Sequence, residues 1–402
     1  MLSQQTIEII KSTVPVLEVH GQTITSVFYK RMFEAHPELL HIFNQANQRQ
    51  GKQSTALAGA VYAAAANIDQ LENILPVVKQ IAQKHRALQI KPEHYPIVGE
   101  NLLAAIKEVL GEAATPEIME AWRQAYGVIA DVFISIEAEM YKEAEEAKGG
   151  WSGYRAFVVE RKVKESEVIT SFYLKPQDGG EITSYLPGQY ITLRVQPEGS
   201  AYTHIRHYSL SAAPGGKVYR ISVRREEAGE GKPAGVVSNY LHDQVLEGSV
   251  VDVSAPAGVF TLDQQRNTPV VLISGGVGLT PMVSMLETLL KEQPHRKVTY
   301  IHAAENGSYH AMKLYIEELE AEHEQMSSYT CYKNPLEGDS CHQTGYIDET
   351  WLRQIADPGA DFYFCGPVPF MRTVYAALNQ MGVPEDRIHY EFFGPAAQLQ
   401  EA

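Results

Sequence analysis

Along the first 148 residues, apolar positions recur at spacings of three and four, the period of helices with one buried face. Pro37, Pro92, Gly111 and Pro116 interrupt the period, and each predicts a break between helices. The run YKEAEEAK, closed by Gly149 and Gly150, predicts the last stop. From Trp151 the pattern changes. FVVERKV, ITSFYL, QYITLRV, RHYSLS, VYRISVRR and SVVDVSA are short, β-branched and aromatic, parted by Pro and Gly turns. They predict an antiparallel sheet or barrel, with one helix at VVSNYLHDQV. Near residue 268 a third pattern begins: PVVLIS, KVTYIHAA, SYTCY and DFYFCG alternate with helical segments, as in a parallel α/β sheet. The expected architecture is therefore multidomain: an all-α module over 1–148, an antiparallel β-barrel over 151–262 and a parallel α/β module over 268–402.

Bulk properties narrow the partners. A chain of 402 residues, 44% hydrophobic and 21% charged, is globular and too long for one ordinary core. Its net charge of -15 argues against nucleic acid or an anionic membrane as partner. No apolar run approaches the roughly 20 residues of a membrane span. The opening MLSQQTIEIIKSTVPVL is acidic and polar where a signal peptide is basic and then apolar. The three cysteines, Cys331, Cys341 and Cys365, are few and odd in number, which favours a reducing compartment and predicts a cytoplasmic protein. There is no C-x-x-C-H, so a haem would be held non-covalently.

In the helical module, Ile74, Val78, Ile81 and His85 follow at four, three and four, and Leu88 extends the stripe. His85 thus faces where the apolar residues face, as a satisfied core histidine or as a ligand. Tyr95 comes just past the Pro92 turn. Ile129, Phe133, Ile136 and Met140 form another apolar face, bordered by Glu137, which is paired if buried and otherwise turned to solvent. Tyr29 lies four before Phe33, Gln53 four before Leu57, and Phe43 between them in a short turn region.

In the β module, Arg206-His207-Tyr208-Ser209 sits on a strand whose alternation puts Arg206 and Tyr208 on one face. A guanidinium there suits a phosphate, and a ring suits a flat cofactor; Tyr208 also suits a cross-strand aromatic pair. The turn PGQY adds Tyr190, and GVVSNYLH runs into a helix with Ser238 in its first turn, where free N–H groups suit a pyrophosphate. In the last module, VVLISGGVGLTPM reads as buried strand, glycine turn and helix start. Gly275, Gly276 and Gly278, with Val277 and Leu279 around them, allow a backbone close to a ligand. Thr280 suits a cap or a phosphate bond, and Pro281 suits the first helical turn. The run lacks the lysine of a triphosphatase loop and matches G-x-G-x-x-G only in part. DFYFCGP ends in Cys365-Gly366-Pro367 before the helix PFMRTVYAAL, and Cys365 is a buried small residue or a cofactor neighbour. The tail YEFFGPAAQ, with Phe392, Phe393, Gly394 and Pro395, packs a core or covers a cofactor.

Taken together, the helical positions resemble a globin. That resemblance implies His85 as proximal ligand of haem b iron, Tyr29, Gln53 and Leu57 on the distal side, and Phe43 against the porphyrin. It places Glu137 and Tyr95 behind the ligand, where a carboxylate raises imidazole basicity. The β-rich segments resemble the FAD barrel of ferredoxin-reductase type, which implies FAD contacts at Tyr190, Arg206, His207, Tyr208, Ser209 and Ser238. By the same likeness Gly275–Pro281 and Cys365–Pro367 hold NAD(P)H. Phe392, Phe393, Gly394 and Pro395 then lie over the flavin, with Phe393 as gate. Lys84, a solvated side chain by itself, and Glu391 become redox-tuning candidates.

The three modules in this order resemble a bacterial flavohaemoglobin, a nitric oxide dioxygenase. The likeness implies that NAD(P)H electrons pass through FAD to haem, where O2 oxidises NO to nitrate, a detoxification. O2 and NO are the expected partners, with no nucleic acid, no obligatory membrane and a monomeric chain. Ser274 stands where alanine is common, a departure expected not to alter binding. IHAAENGSYH lacks an arginine for a 2′-phosphate, which favours NADH. An oxygen store needs only the first module and a flavin or ferric reductase only the last two, whereas a haem-assisted peroxide or lipid reductase would use the same cofactors.

Overall fold

A computed structural model of the chain describes residues 2–43, 51–229, 233–394 and 399. The chain forms two compact units. One takes in Met1–Ala147, Trp151–Gly153 and Arg194–Arg206; the other takes in Lys148–Gly150, Tyr154–Leu193 and His207–Ala402.

Helices α1 (Gln4–Ser12), α2 (Val14–Ala35), α3 (Lys52–Ala66), α4 (Leu75–Leu88), α5 (His94–Leu110) and α6 (Pro116–Glu146) build the first unit. The predicted breaks fall where backbone chemistry requires them. Pro37 opens a 3-10 turn, Gly111 ends α5 at φ +54°, and Pro116 opens α6, whose first turn is capped by Thr115 Oγ1 accepting from the Ile118 N–H at 3.3 Å. Ile10, Ile24, Phe28, Met32, Ile106 and Trp122 fill the core. Helix α2 packs on α3 and α5, while α4 and α5 pack on α6. The α5–α6 crossing is close because Gly99 has no side chain: a Cβ there would lie 2.4 Å from the Tyr126 ring.

The antiparallel sheet comprises β1 (Tyr154–Lys164), β2 (Ile169–Pro176), β3 (Tyr190–Val195), β4 (His204–Ser209), β5 (Tyr219–Arg224) and β6 (Val250–Ser254), in the order β4-β3-β6-β1-β2-β5. A bridge from Leu210, just past β4, to Ile221 on β5 joins the two ends and makes it a barrel. Helix α7 (Val236–Asp243) lies between β5 and β6. Its C-terminal carbonyls are satisfied by the Lys162 ammonium, which donates to Leu241, His242 and Val245 at 3.1, 2.6 and 2.9 Å.

The parallel sheet has the order β10-β9-β8-β7-β11-β12. Its strands are β7 (Val270–Gly275), β8 (Val298–Ala304), β9 (Met326–Tyr332), β10 (Gln343–Thr344), β11 (Asp361–Cys365) and β12 (Ile388–Tyr390). Helices α8 (Leu279–Glu292), α9 (Lys313–Glu322), α10 (Glu349–Ile355) and α11 (Val368–Met381) alternate with them. Strand β10, two residues long, is too short to show a period in sequence. Every residue of β7 is buried, as a central parallel strand requires.

The parallel sheet and the barrel, apart from the end of β3 and the start of β4, share one unit, and α8 fastens them. The Glu287 carboxylate accepts from Arg220 Nη2 at 2.6 Å, from the Tyr315 hydroxyl at 2.8 Å and from the Ala213 N–H at 2.7 Å. Three donors compensate the burial of that charge. At Gly188 a Cβ would meet Phe260 O at 2.3 Å and Met285 Cε at 2.7 Å, so the barrel turn abuts α8 directly.

Candidate functional site

His85 lies in the last turn of helix α4, which ends at Leu88. Gln89 takes the left-handed conformation at φ +63°, and the Ile90 N–H returns to the His85 carbonyl at 2.9 Å. The Tyr141 hydroxyl, from α6, donates to the Ile90 carbonyl at 2.7 Å and holds this corner. Against it, His85 Nδ1 lies 2.7 Å from Glu137 Oε1 and 3.3 Å from the Tyr95 hydroxyl, which itself donates to Glu137 Oε1 at 2.7 Å. Glu137 is only 3% exposed, so the solvent-facing alternative is overturned. Burial, and next the Glu137 carboxylate, push the Tyr95 hydroxyl pKa far up, and it stays a donor.

A carboxylate at Nδ1 fixes the imidazole proton there and leaves the lone pair on Nε2. The His85 side chain is 31% exposed, and among the described residues its two hydrogen bonds are at Nδ1. An imidazole with a carboxylate at Nδ1 and its Nε2 turned away from that pair is the donor set that a haem ligand needs.

Tyr29 on α2 is buried within an aromatic group. Its ring centroid lies 4.8 Å from Phe28 and 5.9 Å from both Phe33 and Phe43. Among the described residues nothing bonds its hydroxyl, and burial pushes its pKa well up, so it stays a protonated O–H. Phe43 follows the 3-10 turn Pro37–His41, and it packs, with Leu57 of α3, on the core that contains Tyr29. Gln53 is half-buried one turn before Leu57, and Lys84 is half-buried beside His85.

In the barrel, Tyr190 is buried at the start of β3, its ring 4.8 Å from that of His207, whose Nδ1 pairs with Thr192 Oγ1 at 2.8 Å. Tyr208 is half-buried and Ser209 buried on β4, both in the second unit, whereas Arg206 falls in the first. Ser238 is buried in the first turn of α7 and receives the Glu226 N–H at 3.2 Å. No side chain caps α7 and its first turn holds no acid, so its leading N–H groups suit a phosphate.

The glycine turn after β7 and the Cys365-Gly366-Pro367 turn after β11 meet. A Cβ on Gly278 would lie 2.1 Å from the Cys365 carbonyl oxygen, and Cβ atoms on Gly275 and Gly366 would both strike the Phe370 ring. Gly276 has φ +53°, and α8 starts without a side-chain cap, which again suits a phosphate. Thr280 is no cap: it is buried inside α8, donating to the Val277 carbonyl at 3.1 Å. Val277 is half-buried, and Leu279 and Pro281 are buried. Cys365 is fully buried, its thiol 3.4 Å from the Glu391 carbonyl, and burial raises its pKa well above the ordinary thiol range. Phe392 packs on the core beside β11, Phe393 is 49% exposed, and Gly394 follows at φ +146°. Pro395 lies outside the described residues.

Tyr126 and Tyr141, which hold the backbone around His85 and Tyr95, escaped sequence reasoning. The Tyr126 hydroxyl donates to the Tyr95 carbonyl at 2.6 Å. Tyr126, Ala130, Phe133, Glu137 and Tyr141 follow at four, three, four and four, so extending the α6 stripe in both directions would have found them.

The Globin family model matches residues 26–133, the Oxidoreductase FAD-binding domain model residues 156–262, and the Oxidoreductase NAD-binding domain model residues 272–376. The flavohemoprotein of Bacillus thuringiensis subsp. konkukian (strain 97-27) is 58% identical over 405 residues, all of both chains. That of Bacillus subtilis (strain 168) is 53% identical over 407 residues, again all of both. Among solved structures, the flavohemoglobin from Malassezia yamatoensis with bound FAD and heme superposes at TM-score 0.86 with 27% identity, covering 98% of this chain and 100% of its own. The FAD/NAD-binding domain of nitric oxide dioxygenase from Vibrio cholerae O1 biovar El Tor gives TM-score 0.56 and 44% identity, over 60% of this chain and 99% of its own. Haem, FAD and NAD domains in this order, matched end to end by such relatives, make the chain a member of the flavohemoprotein family.

Proposed function

We propose that this haem- and FAD-dependent NAD(P)H oxidoreductase oxidises nitric oxide with O2 to nitrate, removing a toxic gas. Two NO, two O2 and one NAD(P)H yield two nitrate, NAD(P)+ and one proton. The observation that carries the reading is the buried Glu137 carboxylate 2.7 Å from His85 Nδ1. Simple oxygen carriage has no need of a carboxylate behind the ligand, whereas oxygen activation gains from the added basicity. The name of the Vibrio cholerae neighbour, similar over the reductase part, supports the same activity.

Haem supplies an oxygen-binding iron, and FAD divides the electron pair of nicotinamide into single electrons. In this reading the modules are 1–148, 151–262 and 268–402. His85 would hold the haem iron through Nε2, Glu137 would keep the proton on Nδ1, and Tyr95 would orient the pair. Tyr29 would offer its buried O–H to O2, and Phe43, Gln53 and Leu57 would line that side and exclude water. Tyr190, Arg206–Ser209, Ser238 and Phe392–Pro395 hold FAD. Gly275–Pro281 and Cys365–Pro367 hold the nucleotide, and Lys84 and Glu391 tune the potentials. A single chain suffices, as a monomer.

The test mixes holoenzyme, NADH, O2 and NO and follows NO loss and nitrate. NO is expected to vanish far faster than in a haem-free control, with one nitrate per NO. Glu137→Gln should slow the reaction about ten-fold and lower the ferrous iron–histidine stretching frequency. NO loss no faster than in the control sinks the assignment, and an unmoved frequency removes Glu137 from it.

A further inference from the structure

Helix α8 begins at the glycine turn after β7, and strand β4, which carries Tyr208 and Ser209, ends two residues before Ser211. A set of bonds that the reaction described so far does not use joins the two. The Ser284 hydroxyl donates to the Ala212 carbonyl at 2.6 Å, and the Ala213 N–H donates to Glu287 Oε2 at 2.7 Å. Arg220, on β5, completes the clamp. Its Nη2 donates to Glu287 Oε1 at 2.6 Å and also to the Ser211 carbonyl, while its Nε donates to Ser211 Oγ at 3.2 Å. The Tyr185 hydroxyl adds a second donor to the Ala212 carbonyl at 2.7 Å.

The clamp is stiff on both sides. On the barrel side, Ser211 Oγ pairs with Ser222 Oγ at 2.9 Å and Ser222 Oγ with Ser171 Oγ at 2.8 Å, and all three residues are buried. The Arg220 and Glu287 side chains are only 11% and 15% exposed, so water competes little for their ion pair. On the other side, Ser284 and Glu287 stand three apart on one face of α8, a continuous helix of 14 residues. At 1.5 Å per residue, Glu287 lies about 12 Å along the axis from the start of that helix. A hydrogen-bonded helix transmits a displacement rather than absorbing it. Movement at Glu287 therefore becomes movement of the glycine turn relative to Tyr208 and Ser209.

We propose that Glu287, paired with Arg220, is a positioning residue for hydride transfer: through α8 it sets the spacing between the nucleotide turn and the flavin strand. In that transfer the C–H bond at nicotinamide C4 breaks and an N–H bond forms on the isoalloxazine. The electron pair moves with the hydrogen, oxidising the nucleotide and reducing the flavin. Such a step is sensitive to placement, and an error of about 1 Å can cost about a hundred-fold in rate. Nucleotide binding needs only the turn itself, so loosening the clamp slows transfer and leaves affinity alone. The inference rests on reading β4 as the flavin strand and the β7 turn as the nucleotide cradle.

The test uses the haem- and FAD-loaded full chain and compares wild type with Glu287→Gln and Ser284→Ala. Glu287→Gln keeps the shape but sets an NH2 against either the Ala213 N–H or Arg220, so one arm of the clamp must open. Anaerobic stopped-flow reduction of the flavin over a range of NADH concentrations separates the limiting rate from half-saturation. Glu287→Gln is expected to lower the limiting rate at least five-fold and Ser284→Ala at least two-fold, with half-saturation within two-fold of wild type. Two readouts are independent of turnover. Amide exchange at Ala213 should accelerate at least ten-fold in Glu287→Gln with β7 protection unchanged, and calorimetric affinity for 5′-ADP should stay within two-fold. A smaller fall in limiting rate for Glu287→Gln, or a loss of NADH affinity in place of rate, overturns the positioning role. If Glu287→Gln does not fold or retain FAD, Ser284→Ala decides by its own two-fold threshold. A wild type that neither binds 5′-ADP nor accepts electrons from NADH or NADPH overturns the cradle reading instead.

Discussion

His85, Tyr95 and Glu137 come from three helices and meet through their side chains, whereas Gly275, Gly278 and Gly366 come from two turns and meet because side chains are missing. In the first arrangement the chemistry lies in atoms that reach out, so an isosteric exchange changes charge or proton position while the fold persists. In the second two turns touch through bare backbone, and an added carbon strikes the Cys365 carbonyl or the Phe370 ring. One site should therefore respond to substitution by degrees, the other abruptly.

Gly278→Ala tests the abrupt case and should have the largest effect. Its Cβ would lie 2.1 Å from the Cys365 carbonyl oxygen, and neither backbone can yield. Flavin reduction by NADH should fall at least about a hundred-fold, roughly 2.7 kcal/mol, while the haem absorption band keeps its position and height. A variant with unimpaired flavin reduction would erase the contrast between the two sites.

Tyr29→Phe tests the graded case. The ring stays among Phe28, Phe33 and Phe43, and only the buried O–H is lost. Oxygen should dissociate from the ferrous protein about ten-fold faster, about 1.4 kcal/mol, as measured by stopped-flow displacement. An unchanged off-rate would take Tyr29 out of the haem-side chemistry.

The smallest effect concerns two histidines beneath α9. His302 Nδ1 pairs with Ser274 Oγ at 2.8 Å, His310 Nδ1 pairs with the Tyr332 hydroxyl at 2.8 Å, and the two rings lie 4.5 Å apart. Burial lowers their pKa values to about 4 and about 2 from an ordinary 6.5. Below 6.5 the unfolded chain takes up protons that the folded chain refuses, so stability present above 6.5 is lost as pH falls towards 4. His302→Gln should reduce that loss by about 1 kcal/mol between pH 6 and pH 5, read from urea midpoints at the two pH values. Equal midpoint shifts in both proteins would show that His302 does not titrate on unfolding. The same pair gives Ser274 a purpose: a residue expected to be an inert replacement for alanine supplies the partner of a buried imidazole.

Much of the architecture was legible because periods of 3.6 and two differ strongly and Pro and Gly mark the changes. The stripe through Val78 and Ile81 placed His85 on an inward face, and RHYSL placed Arg206, Tyr208 and Ser209 on one strand. Periodicity could not decide whether Glu137 was buried or solvated, since a residue bordering a stripe can turn either way. Thr280 looked like a cap by residue type, yet the helix begins earlier and its hydroxyl serves Val277.

By itself the sequence determined the three kinds of secondary structure and their order, since these depend on neighbours three or four positions away. Only the tertiary structure decided that Glu137 and Tyr95 share one oxygen-centred contact with His85 and that two glycine turns touch. Those facts join residues tens of positions apart, 52 between His85 and Glu137. Hydrogen bonds and van der Waals clashes act over a few ångströms in space and take no account of distance along the chain.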